Sequence, residues 1–522
     1  MSSPSPKSPE LSEKDKKYDR QIRLWGEHGQ RLLETANVCL INASALGSEI
    51  LKGVVLPGIG GFTIVDGRIV TEEDVGSDFF LDTQSIGQSK AKCCKELLQE
   101  LNPDVRGDYV DESVESLLES RPDFFTTFKI VVATSLSEKT LIALSKLLWE
   151  RQVPFFYCRS LGMFGSIRLQ IKEHRIVESH PDSRQSDLRL ENPFPTLKQH
   201  LDATNLTPKV PWLVVLYKYL QKWIEKHNGK FPRTYQDKEE LRIMIREGMT
   251  ADEENYEEAI RAVNSSFGGG KPPTALQNIF DDKSCNELNK NCNPFWIIVR
   301  AVRDFIQSEN NGYLPLAGVL PDMTADTESY INLQNVYRQQ AMQDADNIFR
   351  RTQQLLRSLG LEEDLIQEED VHLFCREVSG LAVFRGTKIS DEYEKSYKSV
   401  HIAQELRSPG SLIEHYVALR AFERFQTELG HTPGECNVET DTAKLKSVAS
   451  KILSEWGIAE TLSDDLVHEI CRFGGAEIHS VSAFVGGCAA HEIIKIITEQ
   501  YKPVNNTFIY NAITSESACF KL

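Results

Sequence analysis

Short apolar runs alternate with helical periodicity through the first third of the chain. Residues 38–41, 62–66, 128–134 and 153–158 are mainly apolar runs of strand length, the second ending in the acid Asp66, the pattern of strands in a sheet covered from two sides. Residues 105–110 read as a further strand. Between these runs, 45–56, 89–101 and 137–150 repeat apolar positions at helical spacing. Strand–helix alternation of this kind predicts parallel βα units with helices on both faces of one sheet. Residues 162–171 alternate more strongly and predict an antiparallel extension.

The pattern changes after residue 172. Residues 178–210 are polar and punctuated by proline, and helices are then predicted at 212–227, 236–265 and 294–309. The stretch 265–273, with Gly268, Gly269 and Gly270 before Lys271 and two prolines, reads as a loop. A long helix is predicted over 330–359, with Gly360 as its stop signal. Along it Leu333, Tyr337, Ala341 and Ala345 recur every four residues; that stripe is a candidate partner interface, with intramolecular packing as the competing reading. The last third returns to mixed elements: helices at 412–425 and 443–456, an apolar stretch at 481–497 and a strand at 508–510.

These patterns predict an α/β fold, a doubly wound, mostly parallel sheet interrupted by a large, mainly helical insertion. The expected divisions are a flexible segment 1–17, a first sheet segment 18–171, the insertion 172–395, and a return to the sheet domain at 396–522. With 522 residues, several domains have room for substantial cores. A net charge of -17 argues against broad nucleic-acid or anionic-membrane binding. Neither a signal-peptide core nor a transmembrane segment is expected. Eleven cysteines without a C-x-x-C pair give little support to zinc or to a disulfide framework. An intracellular, cytoplasmic setting is the expectation, with a nuclear one also open.

The candidate chemistry lies at the first strand–helix turn. Glycines there let backbone N–H groups close on a phosphate. This turn reads Ile41-Asn42-Ala43-Ser44-Ala45-Leu46-Gly47-Ser48, so Gly47 alone survives of a three-glycine pattern. Asn42 and Ala45 carry beta carbons expected to crowd a phosphate and restrict the backbone. The turn is read as an ordinary strand–helix connection.

The block Tyr18-Asp19-Arg20-Gln21-Ile22-Arg23-Leu24-Trp25-Gly26, the altered turn, Ile86-Gly87-Gln88-Ser89-Lys90-Ala91 and Phe484-Val485-Gly486-Gly487 occur in that order. Together they resemble the activating enzymes of ubiquitin-like proteins, which have a ThiF-like adenylation fold. Leu320-Pro321-Asp322-Met323, leading to Tyr330-Ile331-Asn332-Leu333-Gln334, narrows the resemblance to the regulatory subunits of heterodimeric neddylation-activating enzymes. Asp66 matches the acid that holds the ATP ribose in active relatives, and Lys90 the lysine that contacts phosphate. Here both are vestigial, and the residue-level readings are a strand-end acid and a solvated lysine. The Asn-Arg-Gln group of active relatives is replaced by Gly76-Ser77-Asp78, and the magnesium-binding aspartate by Ala133-Thr134-Ser135-Leu136.

Cys285 and Cys292 lie where a catalytic cysteine would be sought, yet neither precedes threonine; packing roles are expected. The resemblance implies that the chain binds no cofactor alone, with ATP and magnesium in the site of a catalytic partner subunit. It implies that Arg20 reaches into that site in trans, an interface salt bridge being the alternative. Phe484, Val485, Gly486 and Gly487 are the second candidate interface, with core packing equally open. The other implied partners are a Nedd-type modifier, a conjugating enzyme reached through the complex, and the amyloid precursor protein, through which peripheral membrane association would follow. The class-distinct alternative is a scaffold or signalling adaptor on an inactive nucleotide fold; a self-contained dehydrogenase is disfavoured by the broken turn.

Overall fold

The computed structural model describes residues 13–181, 186–250, 253–394, 397 and 400–522. The N-terminal segment expected at 1–17 lies outside these residues as far as 12, and so does the division expected between 395 and 396. The first helix begins at Glu13 and runs to Thr35. The chain forms two units: one from residues 1–174 and 383–522, the other from 175–382.

The first unit is built on an eight-stranded sheet. Its strands are β1 (Asn37–Ile41), β2 (Gly61–Val65), β3 (Arg106–Val110), β4 (Ile130–Thr134), β5 (Phe155–Leu161), β6 (Phe164–Gln170), β7 (Thr507–Asn511) and β8 (Glu516–Phe520). They lie in the order β8-β7-β6-β5-β4-β1-β2-β3. The five from β3 to β5 are parallel; β6, β7 and β8 extend them antiparallel. The order reverses between β1 and β4, a topological switch point whose crevice is where open α/β sheets take ligands.

Alternation along β1 shows why the strands are apolar throughout. Val38 and Leu40 face a core completed by helices Ala45–Val55, Lys90–Glu100 and His479–Thr498. Cys39 and Ile41 face the opposite core, completed by Val114–Ser120 and Glu138–Glu150. A third core lies under the antiparallel strands, where Phe164 and Ile509 meet helices Ile413–Leu429, Val438–Glu455 and Asp464–Phe473. Among the described residues, His479–Thr498 is long and apolar enough to cross a membrane. Here it is a core helix, with Val485, Ala489, Ile493 and Ile497 buried against the sheet.

The second unit is helical. Trp212–Lys226, Tyr235–Glu247, Glu254–Ala262, Pro294–Ser308 and the 33-residue Thr327–Leu359 dominate it. Gly360 closes the long helix in the left-handed conformation at φ 66°, as its position predicts.

Candidate functional site

The altered turn sits at the switch point, and its own side chains fill it. Asn42 adopts φ 67°, a conformation that asparagine tolerates better than most residues. The backbone restriction expected from its beta carbon is therefore absent. Instead, the Asn42 amide Nδ2 donates to the Thr134 carbonyl at 2.9 Å and to that of Ser135 at 3.2 Å. The Thr134 hydroxyl donates back to the Asn42 carbonyl at 2.8 Å. This pairing ties the end of β1 to the end of β4 across the crevice. Gly47 is needed for packing: a beta carbon there would lie 3.0 Å from Leu40 Cδ2 and 3.1 Å from the Asn42 carbonyl oxygen.

The N–H groups that would receive phosphate are taken by carboxylates. Ala43 N–H donates to Asp66 Oδ2 at 2.9 Å, and Leu46 N–H to Glu477 Oε2 at 3.0 Å. Ser44 caps the helix by accepting from Gly47 N–H at 3.3 Å. A helix N-terminus attracts negative charge, and here the charge comes from within the chain. Burial pushes the Glu477 carboxyl up, against Leu46 N–H, the Ser44 hydroxyl and Lys90, which favour its ionised form.

Asp66 is the strand-end residue the sequence suggests. Buried, it accepts from Arg68 Nε at 2.8 Å, Arg68 Nη2 at 2.6 Å and Arg68 N–H at 3.0 Å, besides Ala43. Lys90 differs from the expectation. It is 4% exposed, not solvated, because its ammonium lies 2.5 Å from Asp74 Oδ1. Burial opposes ionisation of Asp74, yet Lys90 and Thr71 together hold its pKa below the ordinary carboxylate value. Asp78, at the position of a lost amide, accepts from Ser48 Oγ at 2.7 Å and Phe80 N–H at 2.9 Å. Four acids, Asp66, Asp74, Asp78 and Glu477, thus surround two cations, Arg68 and Lys90. Among the described residues both cations are paired with acids of this set, and Ser135 and Leu136, directly after β4, bring no acid to hold magnesium.

The first helix is organised differently. Tyr18 is buried, its hydroxyl accepting from Asn102 Nδ2 at 2.9 Å, while Trp25 Nε1 donates to Gln30 at 3.0 Å. These anchors fix the helix on the sheet unit up to the break at Gly26 (φ 71°). Arg23 is paired with Asp19 at 3.0 Å. Arg20 is exposed and has no ion pair or hydrogen bond among the described residues.

Comparison with known proteins places this geometry. The ThiF family model matches residues 18–522. The chain is 60% identical to the Nedd8-activating enzyme E1 regulatory subunit of Drosophila melanogaster, over all of both chains. It is 45% identical to the Xenopus laevis NEDD8-activating enzyme E1 regulatory subunit, covering 98% of this chain and 99% of that one. The counterpart from Saccharomyces cerevisiae is 26% identical over 97% of this chain and 100% of its own.

The chain belongs to the ThiF family, among the NEDD8-activating enzyme E1 regulatory subunits.

As an E1 regulatory subunit it has a non-catalytic role in ubiquitin-like protein activation, and Cys285 fits that role. Cys285 is buried, its thiol pushed up to about 11 by burial, and Cys292 is half-buried. A nucleophile needs an accessible thiolate, which Cys285 cannot offer.

The two candidate interfaces divide on inspection. Leu333 and Tyr337 are fully buried in the helical unit's own core, where the Tyr337 hydroxyl donates to the Leu188 carbonyl at 2.5 Å. They form an intramolecular seam, not an outward face. Ala341 is half-buried and lines an open cavity of about 610 Å³ with Gly318, Met342 and Ala345. On helix His479–Thr498, Val485 and Gly486 are buried. A methyl group at 486 would lie 2.8 Å from Glu49 Cβ, so this glycine serves helix–helix packing. Phe484 and Gly487 are exposed, the Phe484 ring lying 4.2 Å from that of Tyr510. Glu477 escaped the sequence reading altogether. Its one sequence cue is its place after Gly474 and Gly475 and before an apolar helix, which marks a turn but names no contact.

Proposed function

We propose that this chain is the regulatory half of a heterodimer that activates a NEDD8-type modifier. The catalytic partner holds ATP and magnesium. There the modifier's C-terminal carboxylate attacks the α-phosphorus of ATP, giving an acyl-adenylate and releasing pyrophosphate. The partner's cysteine thiolate then attacks the acyl carbon, AMP leaves, and the thioester passes to a conjugating enzyme. This chain stabilises the paired adenylation fold and supplies Arg20 to the partner's nucleotide site. A permanently charged, planar donor fork suits phosphate oxygens.

The observation that carries this reading is one contrast. The turn's polar groups are satisfied inside the chain, whereas Arg20 stands exposed and unpaired on an anchored helix. The expected setting is the cytoplasm and nucleus. The amyloid precursor protein is a further proposed partner, through which the chain would associate peripherally with membranes.

Reconstitution tests the proposal. The chain alone, with ATP, magnesium and NEDD8, is expected to yield neither AMP nor thioester; adding the catalytic subunit is expected to yield both. A thioester on the isolated chain would overturn the assignment.

A further inference from the structure

A second charged cluster in the sheet unit plays no part in the nucleotide turn. It lies where β5 and β6 meet the segment Ile389–Tyr393 and helix Ile413–Leu429. Arg159, on β5, donates to Glu423 Oε1 at 2.7 Å and to the Leu419 carbonyl at 2.5 Å. Arg168, on β6, donates through Nε to Glu392 Oε1 at 2.9 Å. The hydroxyls of Tyr157 and Tyr393 each donate to Glu423 at 2.8 Å, and that of Tyr416 to Glu392. Both carboxylates are thus engaged by guanidinium and phenol donors.

Arg420 is the third guanidinium, and it is left over. It is 3% exposed. Its Nη1 reaches Glu423 Oε2 only at 3.5 Å, and its plane lies over the Tyr393 ring. Its Nε and Nη2 are shut from solvent with no hydrogen-bond partner. Arg424, the next cation along the helix, is paired separately with Glu138 at 3.3 Å and Glu455 at 2.6 Å. An orphaned charged donor in a protein interior calls for a partner.

These groups enclose a cavity of about 20 Å³, room for one monatomic ion or one water. Its orphaned atoms are donors only; its lining carries three guanidiniums and two carboxylates, and Glu138 acts on Arg420 from outside it. We propose that this cavity is a buried site for a monovalent inorganic anion of halide size, held by Arg420. A halide accepts from every donor that reaches it and has no proton to place. A water accepts as well, but brings two protons of its own into a lining whose orphaned atoms are donors. The ion would tie β5 and β6 to helix Ile413–Leu429, making it a structural ligand.

Bromide substitution tests the site on the unaltered full-length chain. Crystals grown in bromide are expected to show an anomalous peak beside Arg420 Nε and Nη2. In solution at constant ionic strength, replacing chloride with gluconate is expected to lower Tm by about 1–3 °C, and Arg420→Met to abolish that difference. A peak without anomalous signal identifies water and overturns the proposal. An anomalous peak with a Tm indifferent to the anion means binding at crystal concentration only, and overturns it too.

Discussion

The turn at 42–48 and the helix carrying Arg20 lie in the same unit and treat charge in opposite ways. Around the turn, Asp66 has Arg68, Lys90 has Asp74, and Glu477 takes the Leu46 N–H. Each of these groups is paired within the chain, with Arg68 remaining half exposed. On the helix, Tyr18 and Trp25 are buried while Arg20 projects without a partner. Closing a site requires that each polar group find a mate at home; serving another subunit's site requires that one group be kept without one. On the proposed reading, the difference is how a nucleotide fold loses its ligand and still keeps a part in nucleotide chemistry.

The largest effect should come from Arg20. In the assembled pair, Arg20→Ala is expected to slow modifier adenylation by about 100-fold, the worth of a lost charge-assisted phosphate contact. Arg23→Ala, which breaks only the pair with Asp19, should stay within about twofold. Modifier-dependent ATP–pyrophosphate exchange measures both; equal losses would erase the contrast.

The turn should answer in stability. Asp66→Ala removes a buried acceptor from Ala43 N–H and from Arg68, whose side chain is 52% exposed and partly rehydrates. The expected cost is about 2 kcal/mol in urea unfolding, with exchange activity of the assembled pair unchanged. A loss of activity at full stability would mean that Asp66 works in chemistry. Gly486→Ala should cost about 1–2 kcal/mol by forcing helices Ala45–Val55 and His479–Thr498 apart. An unchanged urea midpoint would show that the helix–helix contact has slack.

The smallest effect concerns pH. Burial raises the Glu477 pKa in the folded chain above its unfolded value. The native state therefore holds the proton more tightly. The stability this contributes is full below the unfolded value and is lost as pH rises through the folded one. The wild type, compared with Glu477→Gln, should lose ground across that window and then level off. A difference that is flat with pH would show an unshifted carboxyl, and one that widens in favour of the wild type as pH rises would place the carboxylate in a charge-stabilised setting.

Local pattern made the frame legible. Strands with apolar residues on both faces announced helices on both sides of the sheet, and Gly360 announced the end of its helix. The missing glycines pointed to a disabled turn before any contact was visible. What closes the turn was not legible, because the contacts are long-range: Glu477 meets Leu46 across 431 positions. Lys90 looked solvated because Asp74 belongs to a short separate helix. The stripe of Leu333 and Tyr337 illustrates another limit. Four-residue spacing shows that a helix face is covered, but cannot say whether its own chain or another covers it.

Nucleotide stoichiometry tests the central claim most directly. Equilibrium titration of the assembled pair with a non-hydrolysable ATP analogue and magnesium is expected to give one site per heterodimer, and the isolated chain none. Two sites per pair, or saturable binding to this chain alone, would contradict the closed turn.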